Sequence, residues 1–399
     1  MLQCSKDSSA DVLCLKGGPR SPLIDSGKMP PVRCPESDVI SITEQKSTRE
    51  PWPIDARTID AVLRSYRHVL TGHLTCRPAE RPGFSGAIVI RVETDTGPLC
   101  LRGWPQGIAS DSKILSLHKF LAYVRSRGIA YIADPLASDE GRTLVRAADR
   151  YWQLEPWLPG SADFWSRPSD VRLAAAFEAL ARLHQVARDF RPVDGQSSHL
   201  GPAGPAVAPA VVDRLELING WTPSRLGQLW EWLRRAPGGR EPTVAVARRI
   251  LAAFERCAPR VARELHDATR EPVPLQPCLR DVWHDHVLFD GDAVTGLIDP
   301  AAARTDTVAT DLSRLAGSLI ADDRRAWDIA LDAYRSVRPL SPAEARHVGV
   351  LDRSGVLLSG MSWLERPQIF EQPTEFQSRV LERLERIATR AEALARSIE

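Results

Sequence analysis

The stretch Pro277-Cys-Leu-Arg-Asp-Val-Trp-His-Asp-His-Val-Leu-Phe-Asp-Gly-Asp292 decides how the chain is interpreted, and it continues as Val294-Thr-Gly-Leu-Ile-Asp299. Asp281 stands five residues before His286, an Asp-Gly-Asp turn follows, and a second apolar strand ends at Asp299. The pattern predicts that a loop and a hairpin each present one carboxylate. Phosphoryl transfer uses two such groups, one to orient an attacking hydroxyl and one to hold magnesium.

The composition is that of an ordinary globular protein. The chain has 399 residues, of which 43% are hydrophobic and 26% are charged. This length suits one large domain or two ordinary ones. The 52 basic residues nearly cancel the 51 acidic residues, so no bulk field attracts nucleic acid or an anionic membrane. We therefore expect neither of them as a partner.

The cysteines indicate a reducing compartment. Seven cysteines are scattered along the chain without a Cys-x-x-Cys pair, which argues against a disulfide framework and against structural zinc. No apolar run reaches the roughly 18 residues that suggest a transmembrane helix. The N-terminus also lacks a basic segment followed by an apolar one, as a signal peptide would have. These features predict a soluble protein of the cytoplasm.

The distribution of residues predicts three regions. Residues 1–50 are rich in Ser, Pro, Gly and charge, and we expect a disordered tail there. Residues 51–155 combine strand-like runs with a helix at 111–127, whose apolar residues recur at helical spacing. Residues 156–399 begin with Pro156-Trp-Leu-Pro-Gly160, a candidate hinge, and become mostly helical afterwards.

A glycine-rich turn precedes the strongly β-branched run of residues 87–93. The turn reads Gly83-Phe-Ser-Gly86, and its glycines would allow the backbone amides to approach a phosphate closely. Gly83, Ser85 and Gly86 are therefore candidate contacts for a nucleotide. An ordinary hairpin turn would have the same sequence, and that alternative stays open.

The Asp281 stretch, placed behind a strand-rich region and a hinge, resembles the core of the aminoglycoside phosphotransferases and choline kinases, relatives of the protein kinases. The resemblance covers residues 55 to 340. It implies an α+β, bilobal fold, with a small antiparallel sheet and one helix in the N-lobe and a larger helical C-lobe. It also implies an enzyme, an ATP-dependent kinase that transfers the γ-phosphate to a hydroxyl of a small-molecule acceptor.

The resemblance assigns roles to residues of the Asp281 stretch. The family motif runs His-Gly-Asp, four variable residues and Asn, whereas this chain has Leu279-Arg280-Asp281 and then His286. Asp281 matches the aspartate that accepts the proton of the hydroxyl. Asp299 matches the aspartate that binds the nucleotide's metal, and His286 replaces the asparagine ligand. Imidazole suits Mg²⁺ poorly and Mn²⁺ better, so either ion is a candidate.

Two further positions follow from the resemblance. Arg102 ends a strand where the family places a phosphate-pairing lysine. The helix that follows has no acidic residue after Asp111 and carries His118 at its middle, so the family's ion pair cannot form with that helix. Glu155 lies in a segment that resembles the adenine-binding hinge. Asp311 matches an aspartate that braces the catalytic loop.

Other interpretations remain open. The two departures at His118 and His286 are also what a catalytically inactive kinase-like protein, binding a nucleotide or a partner, would show. His284 and His286 on a strand would face one side and suggest a metallohydrolase. Asp285 and Asp306 would add to Asp281 to make an acidic mouth that favours a cationic or polyhydroxyl acceptor. The last helix carries an apolar stripe, so both a monomer and a dimer are compatible with the sequence.

Overall fold

A computed structural model of the chain describes residues 42–44, 54–79, 86–107, 110–192, 199–235, 241–366 and 374–397. Gly83 and Ser85, the predicted nucleotide contacts, lie outside the described residues, as does most of the predicted tail. Within that tail, three residues form a strand that pairs with the first long strand of the sheet. None of the helices in the described ranges combines the length and the apolar character needed to cross a membrane.

The first part of the chain builds a six-stranded sheet. Its spatial order is β1-β2-β3-β4-β6-β5, antiparallel except for the β1–β2 pair. β3 shows why the segment is a strand, because Ile88, Ile90 and Val92 are buried and the residues between them are not. The strands are β1 Ile42–Glu44, β2 Leu74–Pro78, β3 Ile88–Glu93, β4 Leu99–Gly103, β5 Val145–Ala147 and β6 Arg150–Pro156.

Helices cover this sheet. α1, Ala56–Leu63, begins at the N-cap Asp55 and buries Ile59 and Val62 in one cluster with the apolar residues of the sheet. α2, Asp111–Ser126, belongs to the larger hydrophobic core. α1, which lies between β1 and β2 in the chain, therefore packs on the sheet, and α2, between β4 and β5, contacts it through His118 and Gln153 of β6.

The remainder is mainly helical, as the sequence predicts. Three pairs of helices pack closely: α6 with α10, α3 with α8, and α6 with α9. The helices are α3 Asp170–Ala187, α4 Pro209–Asn219, α5 Pro223–Arg235, α6 Glu241–Ala268, α7 Ala309–Leu319, α8 Arg324–Val337, α9 Pro342–Leu364 and α10 Thr374–Ser397.

Two small sheets lie among these helices and deliver the Asp281 stretch. β7 Ala203–Ala206, β8 Val273–Cys278 and β11 Arg304–Asp306 form one, in the order β11-β8-β7. β9 Val287–Asp290 and β10 Ala293–Leu297 form the predicted hairpin, with Gly291 at a φ of +56°. Residues 40–399 form one compact unit, so the lobe boundary near residue 156 stays a prediction.

The predicted hinge is docked on this hairpin. Ser161 and Phe289 exchange backbone hydrogen bonds of 3.0 and 2.9 Å, and the Thr295 hydroxyl donates to the Pro159 carbonyl. Gly160 has a φ of +96°, and a Cβ there would come within 2.7 Å of the Phe289 carbonyl oxygen. Only glycine meets both conditions at this position.

Replacing Gly160 by alanine tests this docking. Gly160→Ala should lower the free energy of unfolding by about 2–4 kcal/mol, because backbone strain adds to a contact with a main-chain oxygen. Gly141→Ala is the matched control, since Gly141 also has a positive φ but open space around it. The control should cost about 1–2 kcal/mol. Equal losses in urea denaturation would contradict the packing argument.

Candidate active site

A buried carboxylate anchors the segment that carries Asp281, which we call the aspartate loop (residues 279–286). Asp311 lies in α7 with 0% exposure and accepts hydrogen bonds from the amides of Leu279, at 2.7 Å, and Arg280, at 2.5 Å. His184 Nε2 donates to the same carboxylate at 3.0 Å, and its Nδ1 accepts from the Tyr334 hydroxyl at 2.8 Å. The entry to the loop is thereby fixed to the helical core.

Asp281 projects from this loop with its side chain 45% exposed. Its Oδ1 accepts hydrogen bonds from Arg314 Nε at 3.2 Å and Nη2 at 3.0 Å. Arg314 lies one turn along α7 from Asp311, so the same helix braces the loop and orients its carboxylate. Nothing in the sequence pattern singled out Arg314, because an arginine on a helix is ordinary.

His286 lies between the two aspartates. Its Nδ1 donates to the Asp281 carbonyl at 2.7 Å, which leaves Nε2 as an acceptor, and Trp283 Nε1 donates to Nε2 at 2.8 Å. The Asp299 carboxylate is 3.8 Å from Nε2. A metal at His286 would therefore have to displace the indole of Trp283.

Asp299 follows β10 in a left-handed conformation, with φ 56° and ψ 57°. Its side chain is 29% exposed, and its Oδ1 accepts from Arg102 Nη1 at 2.9 Å. This partly exposed carboxylate oxygen suits a hard cation such as Mg²⁺. The His286 imidazole does not, because it offers nitrogen and its Nε2 lone pair already accepts a hydrogen bond from the Trp283 indole. Arg102 and Asp299, which the sequence analysis assigned separately to the nucleotide site, are thus in direct contact.

Arg102 has a second carboxylate partner, Glu155, at 3.7 Å. Glu155 lies in β6 rather than in α2. As the sequence predicts, α2 supplies no carboxylate to Arg102, because its one acidic residue is Asp111 in the first turn. Burial raises the pKa of Glu155, and the charge of Arg102 opposes that shift. The side chain that the sequence assigned to the adenine hinge thus faces Arg102.

His118 supports Glu155 from α2. Its Nε2 donates to Gln153 Oε1 at 2.9 Å, and Gln153 Nε2 donates to Glu155 Oε2 at 2.6 Å. The His118 Nδ1 lies 2.8 Å from the Thr143 hydroxyl. Burial lowers the pKa of His118 to about 4, so the ring is neutral at pH 7.

Of the glycine turn, only Gly86 is described. Its φ is +74°, and its carbonyl accepts a hydrogen bond from Arg150 Nη1 at 3.3 Å. The contact of Gly83, Ser85 and Gly86 with a nucleotide stays a prediction.

The histidine pair does not have the predicted geometry. His284 and His286 lie in a 3-10 turn rather than on a strand, and His284 stacks on Trp165 with ring centroids 3.4 Å apart. Burial lowers the pKa of His284 to about 3. Because the two rings have separate partners, the arrangement does not support the metallohydrolase interpretation.

Of the three aspartates expected at an acidic mouth, Asp281 and Asp285 have side chains that are 45% exposed, whereas Asp306 does not reach the surface. Asp306 is fully buried and lies 3.3 Å from Arg280 Nε, and burial raises its pKa to about 6. Around Trp283, the guanidiniums of Arg383 and Arg314 lie 4.6 and 5.8 Å from the ring centroid. The surroundings of Asp281 therefore include clustered positive charge, which the sequence spacing of these arginines did not reveal.

Removing the Asp311 carboxylate tests the anchor of the aspartate loop. Asp311→Ala should lower the free energy of unfolding by about 3–5 kcal/mol, because it leaves two buried amides and His184 without their acceptor. Asp323→Ala, which removes an exposed N-cap that accepts from Ala326, is the control and should cost about 1 kcal/mol. Similar losses for both variants in chemical denaturation would contradict the anchor.

The neutral state of His118 predicts a pH dependence. Its pKa is depressed in the folded protein, so its contribution to stability is complete above about pH 6.5 and is lost as the pH falls towards 4. Wild type should lose about 3 kcal/mol more than His118→Gln between pH 7 and pH 4. Denaturation curves at several pH values measure this difference, and parallel losses would contradict it.

The model of the phosphotransferase enzyme family matches residues 80–347, which is more than half of the chain. Homoserine kinase of Rhodospirillum rubrum is 27% identical over 285 residues, covering 69% of this chain and 77% of that protein. Homoserine kinase of Acidiphilium cryptum is 27% identical over 231 residues, covering 56% of this chain and 60% of the relative.

Solved structures share the fold. A microcompartment-associated aminopropanol kinase has a TM-score of 0.59 at 17% identity, covering 86% of this chain and 98% of that one. A spectinomycin phosphotransferase in complex with ADP and spectinomycin has a TM-score of 0.59 at 12% identity, covering 86% and 99%. The predicted α+β, protein-kinase-like fold is confirmed. The chain belongs to the phosphotransferase enzyme family.

Proposed function

We propose that this protein is a small-molecule kinase that transfers the γ-phosphate of ATP to a hydroxyl. The observation that carries the proposal is that His286 bonds the Asp281 main-chain carbonyl and lies 3.8 Å from the Asp299 carboxylate, which in turn pairs with Arg102. Phosphoryl transfer needs a group that orients the nucleophile and charges that hold the phosphates. Family membership supports the same reaction class.

Each residue has a defined role in this proposal. Asp281 accepts the proton of the acceptor hydroxyl and orients it for in-line attack, and Arg314 holds the Asp281 carboxylate in place. Arg102 binds phosphate oxygens, for which a guanidinium is well shaped. His286 braces the aspartate loop internally, through Trp283 and the Asp281 main-chain carbonyl, and lies 3.8 Å from the Asp299 carboxylate.

The proposed reaction also requires a divalent metal ion at Asp299. Asp299 would hold Mg²⁺ together with phosphate oxygens of the nucleotide, and the ion would neutralise the charge of the phosphates. An amicoumacin kinase of the same fold is described in complex with AMP-PNP and Ca²⁺, with a TM-score of 0.57. Mn²⁺ is an alternative for this chain, because His286 offers nitrogen once Trp283 releases it.

The acceptor that fits best is a hydroxy amino acid. The relatives named above are homoserine kinases, and homoserine carries both a primary hydroxyl and a carboxylate. Arg314 is paired with Asp281, and the guanidinium of Arg383 beside Trp283 adds further positive charge, which favours an acceptor with a negative group over a purely cationic one. We place the enzyme in the cytoplasm, where the buried thiols of Cys76, Cys100, Cys257 and Cys278 stay reduced.

Substitution of the two aspartates tests the mechanism. Asp281→Asn should lower kcat by about 10²–10⁴-fold, because the general base is lost. Asp299→Asn should abolish Mg²⁺-dependent turnover, because the metal loses its carboxylate ligand. Asp292→Asn, an exposed aspartate of the hairpin turn, is the control and should behave like wild type. Release of ADP is measured with homoserine, serine, aminopropanol and homoserinol as acceptors.

The outcomes separate the two interpretations of the chain. Metal-dependent turnover that both aspartate variants lose supports the kinase. Binding of ATP without transfer to any acceptor would support the inactive nucleotide-binding protein instead. Turnover that survives in Asp281→Asn would show that another group accepts the proton.

A further inference from the structure

Arg102 and Glu155 face each other within the sheet. β4 and β6 pair antiparallel so that Arg102 lies opposite Gln153 and Cys100 lies opposite Glu155. Because alternate residues of a strand share a face, the side chains of Arg102, Gln153 and Glu155 project to the same side. Arg102 is 9% exposed and Glu155 is 8% exposed. The two charges therefore meet largely away from water.

Arg102 is shared between two carboxylates of different accessibility. Its Nη1 bonds Asp299 at 2.9 Å, and its Nε lies 3.7 Å from Glu155. The Asp299 side chain is 29% exposed and the Glu155 side chain is 10% exposed. A divalent cation from solvent can reach Asp299 far more easily than Glu155. When Asp299 binds the cation, Glu155 is left to neutralise the guanidinium.

Glu155 is held from behind by a chain of buried polar groups. Its Oε2 accepts from Gln153 Nε2 at 2.6 Å, and Gln153 Oε1 accepts from Trp104 Nε1 at 2.7 Å and from His118 Nε2 at 2.9 Å. The position of the carboxylate is thus determined by β4, β6 and α2 together. Such a fully bonded network is more rigid than a surface ion pair.

The helix that crosses the sheet offers no substitute. The only acidic residue of α2 is Asp111, which lies in the first turn and is exposed, and the buried position at the middle of the helix is His118. His118 reaches the site only through Gln153. In the part of the chain that the structure describes, the carboxylate that pairs with Arg102 besides Asp299 is Glu155 of the sheet.

We propose that Glu155 is the positioning residue that keeps Arg102 directed at the nucleotide phosphates while Asp299 binds the metal. The inference rests on the proposed kinase function and extends it to a residue of the sheet. Glu155 touches neither the phosphates nor the metal. It acts through Arg102, and His118 and Gln153 maintain its geometry.

The test replaces the Glu155 carboxylate by an amide of the same shape. Glu155→Gln should lower kcat by about 10–100-fold through misplacement of Arg102, while KM for the acceptor changes by less than about twofold. The preference for Mg·ATP over adenosine, measured as a ratio of Kd values by calorimetry, should fall by about tenfold. A purely structural residue would not change this ratio.

Glu93→Gln is the matched control. Glu93 lies in β3 of the same sheet and pairs with Arg77 and Arg91, away from Asp299. It should leave kcat and the Kd ratio unchanged. Glu155→Asp keeps the charge but shortens the side chain by one methylene, so its losses should be intermediate. Glu155→Asp carries the test if the glutamine variant does not fold.

The outcomes also distinguish this inference from the proposed function. If wild type transfers phosphate and Glu155→Gln and Glu155→Asp both match Glu93→Gln, the positioning role is wrong and the kinase function stands. If no form transfers phosphate but the Kd ratio falls in the Glu155 variants alone, the positioning role stands without the kinase function. A wild type that binds adenosine and Mg·ATP equally would overturn the positioning role.

Discussion

The buried carboxylate of Asp311 is the constraint on which the site depends. It accepts hydrogen bonds from two consecutive amides of the aspartate loop and from the imidazole of His184; the contacts with Leu279 and His184 are buried, and the contact with Arg280 is partly buried. In such surroundings a missing partner costs far more than a formed bond contributes. The loop therefore has one favourable path, and Arg280 adopts a φ of +64° along it. Asp281 is the next residue, so its position is set by the same contacts.

The second determinant is the distribution of charge around Arg102. One guanidinium lies between Asp299 and Glu155, so the site carries one negative charge more than the arginine neutralises. A divalent cation at Asp299 would reverse that imbalance and leave positive charge for the phosphates. The same contacts connect the sheet to the hairpin, so in the proposed kinase metal and nucleotide binding would depend on both parts of the fold.

Much of the fold could be predicted from the sequence. The helix expected at residues 111–127 is present as Asp111–Ser126, and the Asp-Gly-Asp turn forms the expected hairpin. These features follow from local periodicity and turn chemistry. The family resemblance assigned both Arg102 and Asp299 to the nucleotide site, but their direct contact across 197 residues of sequence was not predicted.

What could not be predicted depends on side-chain partners that no spacing reveals. That Glu155, rather than a carboxylate of α2, lies beside Arg102 could be seen only from the register of β4 and β6. The hydrogen bond that His286 Nε2 accepts from Trp283 Nε1 was likewise not evident from the sequence. The predicted acidic mouth was wrong for Asp306, because counting aspartates ignores burial. Asp306 is enclosed, and arginines from α7 and α10 arrive beside Trp283.

The most direct test of the account is the stereochemical course of transfer. It uses ATP made chiral at the γ-phosphorus with oxygen isotopes and any acceptor that wild type phosphorylates. Direct attack by a hydroxyl that Asp281 orients is a single in-line displacement, so the account predicts inversion at phosphorus. Retention of configuration would require two displacements through a phosphorylated side chain and would contradict it.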